Sequence, residues 1–297
     1  MRVLVRNGYK NIQNFMNNQI EKILAVVVIY NTDLSKADTL KSIGKDLEEN
    51  DMQMDLFIFD NSPNAQPLID IRGFNILKYI HATENAGVSK AYNEGARFAE
   101  TLGKQWLLLL DQDTSFDGGI INAYTNGILN QPDINLFCPI IKVKESIIFS
   151  PFIRKFKRGF AMKSVKPVRY PFVKFSPVNS GILVNLSAFL DAGGYNEKVK
   201  LDFSDLEFIE RFRKFNLEFQ VLDSEARQDF SNDIQDITRL NSRYKFFCEG
   251  AKNCDKKNLT ERFQYLVVVF IRATMLVKRT RSLIFYKTMF TNFIIAN

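Results

Sequence analysis

Two aspartates one residue apart, Asp111-Gln112-Asp113, stand immediately after the apolar run Trp106–Leu110 (WLLLL). Carboxylates at this spacing on a tight turn offer hard oxygen ligands to Mg²⁺ or Mn²⁺, ions that keep positions open for phosphate oxygens. Such an ion would act as a Lewis acid and neutralise a departing diphosphate. A solvated turn or a helix cap uses the same residues, and the spacing alone leaves both readings open. Asp60, in Asp60-Asn61-Ser62-Pro63, either accepts a hydrogen bond from a base N–H or closes an Asx-turn on its own backbone. Asn85-x-Gly87, followed by Ala91-x-Asn93-x-Gly95, puts backbone N–H groups and small residues at a helix start. That suits phosphate binding and suits capping with close packing equally well. Asp202, Asp205 and Glu207 form an acidic cluster. A carboxylate there can take a proton from an attacking hydroxyl, and a helix dipole favours the same residues without any chemistry. His81 is the only histidine and reads as structural. Its isolation argues against His-rich metal sites and a Ser-His-Asp triad.

The elements that must position these residues are legible in part. Ile23–Tyr30 (ILAVVVIY) is a β-branched run of the kind buried on both faces of a parallel sheet. Leu40, Ile43 and Leu47 recur at helical spacing. Leu56–Phe59 and Trp106–Leu110 are two more strands, and Val88, Ala91, Tyr92, Gly95 and Ala99 mark one face of a helix beginning near Asn85. Strand, helix, strand, helix, strand is the order of a doubly wound α/β domain. Asn31, Asp60 and Asp111 each follow a strand directly, and ligands of open parallel sheets bind beyond the carboxyl ends of the strands. Further on, Gly181–Leu186 reads as a strand. Leu206–Phe219 reads as one helix with Phe208, Phe212, Phe215 and Phe219 on a packed face. Lys142–Pro177 holds four of the eight prolines and reads as an excursion across the mouth of the sheet.

Composition narrows the class. The 297 residues are 46% hydrophobic and 25% charged, as in ordinary globular proteins, and 27 phenylalanines can bury ample apolar surface, which excludes disorder. Three widely spaced cysteines fit no disulfide scaffold or zinc site and point to a reducing cytosol. No secretory signal is visible, and no run approaches the roughly 20 apolar residues needed to span a bilayer. The net charge of +7 is segregated: Lys142–Lys174 carries ten Lys/Arg against one Glu, and Gly250–Asn297 carries nine against two acidic residues. Two basic patches on an acidic body fit an anionic surface or ligand met at defined places. The tail from about Asn241 alternates basic and apolar clusters. It reads as amphipathic helices that either lie on a membrane or present a solvated basic face. Neither a G-x-G-x-x-G nor a P-loop pattern occurs. A nucleic-acid partner, the other reading of a pI near 9.2, is disfavoured by the segregated charge, the acidic Asp111/Asp113 mouth and the lack of a nucleic-acid motif.

Six segments in order, ILAVVVIYN, IFDNSPN, NAGVSKAYNEG, LLLLDQDT, NSGILV and GGYNEKVKLDFSDLEFIERFRK, resemble the family 2 glycosyltransferases, most of all their bacterial rhamnosyltransferase-like branch. The resemblance covers about residues 22–232. It implies an α/β GT-A fold with a mixed, Rossmann-like sheet: a nucleotide-binding half over about 22–115 and an acceptor half over about 116–240. An N-terminal extension (1–21) and a basic helical tail (241–297) would flank it. The implied activity is inverting transfer of a sugar from a nucleotide-diphosphate donor to a glycan or lipid-diphosphate-linked glycan, with Mg²⁺ or Mn²⁺. Tyr30 and Asn31 would line the base pocket and Asp60 would bond the base. Asn85 and Gly87 would shape the nucleotide-sugar site, and Asn179, Ser180 and Gly181 would border sugar and acceptor. Asp111 and Asp113 match the metal motif, with Asp113 the more direct ligand, and Asp205, six residues before Arg211, matches the general base. The branch favours a deoxythymidine- or uridine-diphosphate donor, with rhamnose first and galactose or galactofuranose next. The expected location is the cytoplasm, docked on the inner face of the plasma membrane. One departure stands out: Gln228 occupies the place of a frequent family histidine, and Gln is a weaker metal ligand that cannot become cationic. Either Gln228 hydrogen-bonds a phosphate beside a looser metal site, or activity is reduced, down to a silent member serving as an assembly partner. A nucleotidyltransferase on the same half-fold fits the distal motifs less well.

Overall fold

The computed structural model describes residues 16–144, 147–228 and 236–295. Most of the expected N-terminal extension, and the Asp229-Phe230-Ser231 end of the segment around Gln228, lie outside the described residues. Strand β1 (Ile23–Ile29) is buried at every position because it runs through the middle of a sheet with packing on both faces. Its alternate side chains divide between two cores, Ile23, Ala25, Val27 and Ile29 on one face and Leu24, Val26 and Val28 on the other. Parallel neighbours flank it: β2 (Met54–Asp60) on one side and β4 (Trp106–Asp111) on the other. Helix α1 (Asp38–Glu49) buries Leu40, Ile43 and Leu47 as their spacing requires. Helix α2 (Val88–Thr101) covers the opposite face.

The pattern strand, helix, strand, helix, strand is incomplete. A further strand, β3 (Phe74–His81), pairs parallel with β2 at the sheet edge. All of its residues except Phe74 are half-buried or exposed, so it lacks the continuous apolar run that reveals an interior strand. Beyond β4 the sheet changes direction. After β5 (Thr114–Phe116) and helix α3 (Ile120–Asn130) comes β6 (Leu136–Val143), and the basic excursion contributes the short strands β7 (Ile147–Ser150), β8 (Phe152–Lys155), β9 (Arg158–Phe160), β10 (Arg169–Pro171) and β11 (Phe175–Ser176). Strand β12 (Ile182–Asn185) then inserts antiparallel between β4 and β6. After helices α4 (Leu186–Asp191) and α5 (Ser204–Phe212), strand β13 (Glu218–Gln228) closes the sheet beside β6. The spatial order is β10-β13-β6-β12-β4-β1-β2-β3, a mixed sheet, with β8, β9 and β11 forming a small second one.

The phenylalanine stripe is a correction. The helix stops at Phe212, Phe215 is exposed, and Phe219 is buried from within β13. Asn216 caps the end by donating from Nδ2 to the Phe212 carbonyl at 3.1 Å. The tail forms helices α6 (Ile237–Asn253), α7 (Leu259–Thr280) and α8 (Ile284–Met289), which bury Tyr244, Cys248, Tyr265, Val269 and Phe285 in a third core shared with Val199 and Phe203. Among the described residues, no helix is long and apolar enough to cross a membrane.

Helix α2 lies unusually close to β1. A Cβ on Gly95 would stand 2.5 Å from a methyl of Val26. Gly95→Ala gains about 1 kcal/mol of helix propensity but overpacks the contact at a cost of about 1–3 kcal/mol. Net destabilisation is therefore expected in urea unfolding, and an unchanged or raised midpoint would contradict the close approach.

Candidate active site

The Asp111-Gln112-Asp113 turn is held from outside by side chains far away in sequence. The buried Thr39 hydroxyl donates to the carbonyls of Asp111 and Thr114 and accepts from Thr114 N–H at 3.1 Å. Gln112 points away from the turn and takes both backbone groups of Tyr30, accepting from its N–H at 2.7 Å and donating to its carbonyl at 3.2 Å. The ends of β1 and β4 are thereby locked together, and Asp111 and Asp113 are left to point elsewhere. Half-buried Asp111 accepts from the Tyr92 hydroxyl at 2.9 Å. Burial, then the charges of Asp113 and Asp205, push its carboxyl up to about 7 against that hydrogen bond. Asp113 is exposed, and its Oδ1 accepts from Gln228 Nε2 at 2.9 Å. The other amide atom of that side chain, Gln228 Oε1, is buried with no partner among the described residues.

On the base side, Asn31 adopts a left-handed φ of 51° and donates its N–H to Ser62 Oγ at 2.8 Å. Tyr30 beside it is exposed. Asp60 is fully buried. Its Oδ1 accepts from Ser62 N–H at 2.8 Å, forming the Asx-turn, and its Oδ2 accepts from Gln66 N–H at 2.8 Å and the Tyr79 hydroxyl at 2.6 Å. Burial raises this carboxyl, but the hydrogen bonds from Ser62, Tyr79 and Gln66 outweigh it and hold it below its ordinary value. His81 is bonded to the Ser62 carbonyl at 2.8 Å, in keeping with a structural role. Asn85 is also left-handed, with φ 45°. Gly87 has φ +88°, and a Cβ on it would strike the Lys200 carbonyl at 2.4 Å. Val88 N–H, the first of α2, already donates to that carbonyl at 2.8 Å, so close packing accounts for this glycine.

Asp205 enters from the first turn of α5. It is half-buried, accepts from Leu206 N–H at 2.7 Å, and burial, then the neighbouring Asp202, push it up to about 6. Asp111 thus feels the charges of both Asp113 and Asp205. Asn179 links the two sides. Its Oδ1 accepts from the Tyr195 hydroxyl at 2.7 Å, and its Nδ2 donates to Ser204 Oγ at 3.2 Å, next to Asp205. Ser180 is buried against the Thr114 hydroxyl at 2.8 Å, and Gly181 donates its N–H to Leu109 O at 2.8 Å. Asp205 also lines a cavity of about 500 Å³ between α5, the basic excursion and α7. Thr39, Gln112, Ser62, Tyr92 and Tyr195 are positioning residues that the sequence reading passed over. Gln112 inside the D-x-D turn, Ser62 in the turn after Asp60 and Tyr92 on the helix face were named only for their place in the chain.

The donor set fits a hard divalent cation: two carboxylates on one turn, the charge of Asp113 raising Asp111, and the unpartnered Oε1 of Gln228, whose Nε2 already bonds Asp113. Among the described residues, no group of three or more His, Cys, Asp or Glu side chains is placed to hold a metal alone.

No family model matches the chain. It is 22% identical over 201 residues to the dTDP-rhamnosyl transferase RfbF of Shigella flexneri, covering 67% of this chain and 66% of that protein. The structure superposes on that of GalNAc-T7 with UDP, GalNAc and Mn²⁺ at a TM-score of 0.60 and 11% identity, over 91% of this chain and 56% of the other. The S. aureus TarS structure with UDP is more distant, at a TM-score of 0.45 and 11% identity over 82% of this chain and 70% of that one. The chain thus spans just under two thirds of the rhamnosyl transferase it matches and little more than half of GalNAc-T7. The chain thus has a GT-A-like fold, shared with GalNAc-T7, and is similar in sequence to a dTDP-rhamnosyl transferase.

Proposed function

We propose that the protein transfers a sugar from a nucleotide-diphosphate donor to a hydroxyl of a glycan or lipid-linked glycan, with inversion at the anomeric carbon. The observation that carries this reading is that Asp111, beside Asp113 at the end of β4, feels the charge of Asp205, which lines a cavity. The names of the relatives support it: one is a dTDP-rhamnosyl transferase, and another was crystallised with UDP. A dTDP-rhamnose donor is the first to try, ahead of uridine-diphosphate galactose or galactofuranose. Beyond the strand ends, Tyr30 and Asn31 would flank the base; Asp60 is buried with both oxygens bonded to Ser62, Gln66 and Tyr79, so in place of bonding the base directly it would orient the Ser62–Gln66 loop against it. Asn85 and Gly87 would border the diphosphate, and Ser180 and Gly181 the sugar. Asp113 and Asp111 would hold Mg²⁺ or Mn²⁺, with Gln228 beside them. When bound, that ion supplies Lewis-acid neutralisation of the diphosphate.

Asp205 takes the proton of the acceptor hydroxyl as its oxygen bonds to the anomeric carbon. The bond from that carbon to phosphate oxygen breaks, and its electron pair leaves with the nucleoside diphosphate. A carboxyl near 6 is deprotonated at neutral pH yet more basic than an ordinary aspartate, which suits this task. Turnover should therefore fall as pH drops through about 6. Asp205→Asn should lower kcat by about 10²–10⁴-fold and leave donor binding intact. Near-normal turnover in that variant would refute the assignment.

Peripheral attachment to an anionic membrane, at the cytoplasmic face, belongs to the same proposal. Leu259, Phe263, Val267 and Phe270 form one exposed apolar stripe along α7, since residues three and four apart share a face. Nearby Lys278, Arg279 and Arg281 would each add about 1 kcal/mol at an anionic leaflet. A Phe263→Ser/Phe270→Ser variant should lose most co-sedimentation with phosphatidylglycerol vesicles. Undiminished sedimentation would remove this stripe from the account.

A further inference from the structure

The cavity beside Asp205 has walls from four separate stretches of chain, and its lining combines three kinds of chemistry. Phe203, Phe247 and Met275 are apolar; Arg158 and Arg272 are cationic; Asp202 and Asp205 are acidic. Its volume of about 500 Å³ lies in the range of small-molecule sites. Helix α7 meets it with a face distinct from the exposed stripe and from the core stripe of Tyr265, Val269, Ala273 and Leu276.

The two arginines are the informative residues. Among the described residues, neither has a carboxylate within ion-pair distance, whereas Lys157 in the same wall is paired with Glu261 at 3.0 Å. Each guanidinium lies over a ring instead: Arg272 over Phe247 with 5.5 Å to the centroid, and Arg158 over Phe160 with 5.6 Å. A guanidinium held over a ring by cation–π attraction keeps its N–H donors for a bidentate anion such as phosphate. Desolvation lowers Arg272, and although Asp202 opposes this, the facing charges of Arg243 and Arg158 lower it further, a repulsion that a bound anion would relieve. Asp202 supplies the second signal. Arg243 donates to its Oδ1 at 3.0 Å, but Oδ2 is buried without a partner. A carboxylate oxygen left in that state accepts from a ligand hydroxyl at little cost.

We infer that this cavity is the acceptor's binding site, in which Arg272 and Arg158 grip an anionic phosphate group. Asp202 accepts from an acceptor hydroxyl, and an apolar chain attached to the phosphate lies on Phe203, Phe247 and Met275. The inference rests on the sugar-transfer reading and narrows its acceptor to a phosphate-bearing amphiphile. It also makes the tail helix a wall of the active site.

Calorimetric titration of the full chain with octyl phosphate, octyl glucoside and inorganic phosphate tests it, below micellar concentrations. Octyl phosphate should bind more tightly than either of the others. Arg272→Gln should weaken it about tenfold or more, and so should Met275→Asp, a change at an exposed cavity position that leaves the core intact. Equal binding of octyl phosphate by wild type and both variants would overturn the inference, as would equal affinity for octyl glucoside. Inorganic phosphate binding as tightly as octyl phosphate would overturn the apolar half and leave a site for a soluble sugar phosphate. UDP and dTDP titrations with Mn²⁺ form a separate arm. Their failure in wild type would strike the sugar-transfer reading, while loss of octyl phosphate binding alone strikes only the acceptor site.

Discussion

Asp111 sits half-buried at the end of β4 with Asp113 two residues on and Asp205 approaching from α5, and three carboxylates gathered in this way repel one another. Burial and the two neighbouring charges hold Asp111 near pH 7, so the arrangement persists only because the surroundings dictate it. Thr39 and Gln112 fix the backbone of the turn, Tyr92 fixes the Asp111 side chain, and the Asn179–Ser204 contact holds the start of α5 in place. Such strain is typical of sites that await a cation or a developing charge.

The sheet explains why these groups meet. Parallel β1, β2 and β4 end on the same side, which places Asn31, Asp60 and Asp111 at one end of the sheet. The reversal at β12 then carries the chain back across that end, so that β13 returns Gln228 to Asp113. Helix α7 packs over Phe203, two residues before Asp205, and so encloses the far side. The proposed donor side thus lies at the ends of the parallel strands, and the proposed acceptor cavity lies between the basic excursion and helices α5, α6 and α7.

What could be read from residue order alone follows a physical line. Interior strands announce themselves because both faces must be apolar, and a polar residue ending such a run marks the crevice; Asp111 and Asp113 were legible for that reason. Strand β3 was not, because an edge strand with half-covered side chains carries no comparable run. Phe215 joined the wrong pattern because helical spacing continues on paper where Asn216 ends the helix in space. The grip of Thr39 and Gln112 on the carboxylate turn depends on tertiary contacts, as does the pairing of Asp60 with Tyr79. Charge counting did find the two basic blocks, yet nothing in their order reveals that Arg158 and Arg272, over a hundred residues apart, face one cavity.

Anomalous diffraction from crystals soaked with Mn²⁺ and a pyrimidine nucleoside diphosphate addresses the central claim most directly. The account predicts a manganese peak coordinated by Asp113, with Asp111 and Gln228 around it and the nucleotide's phosphates completing the shell. A nucleotide bound away from the ends of β1 and β4, or a manganese ion that avoids both aspartates, would contradict it.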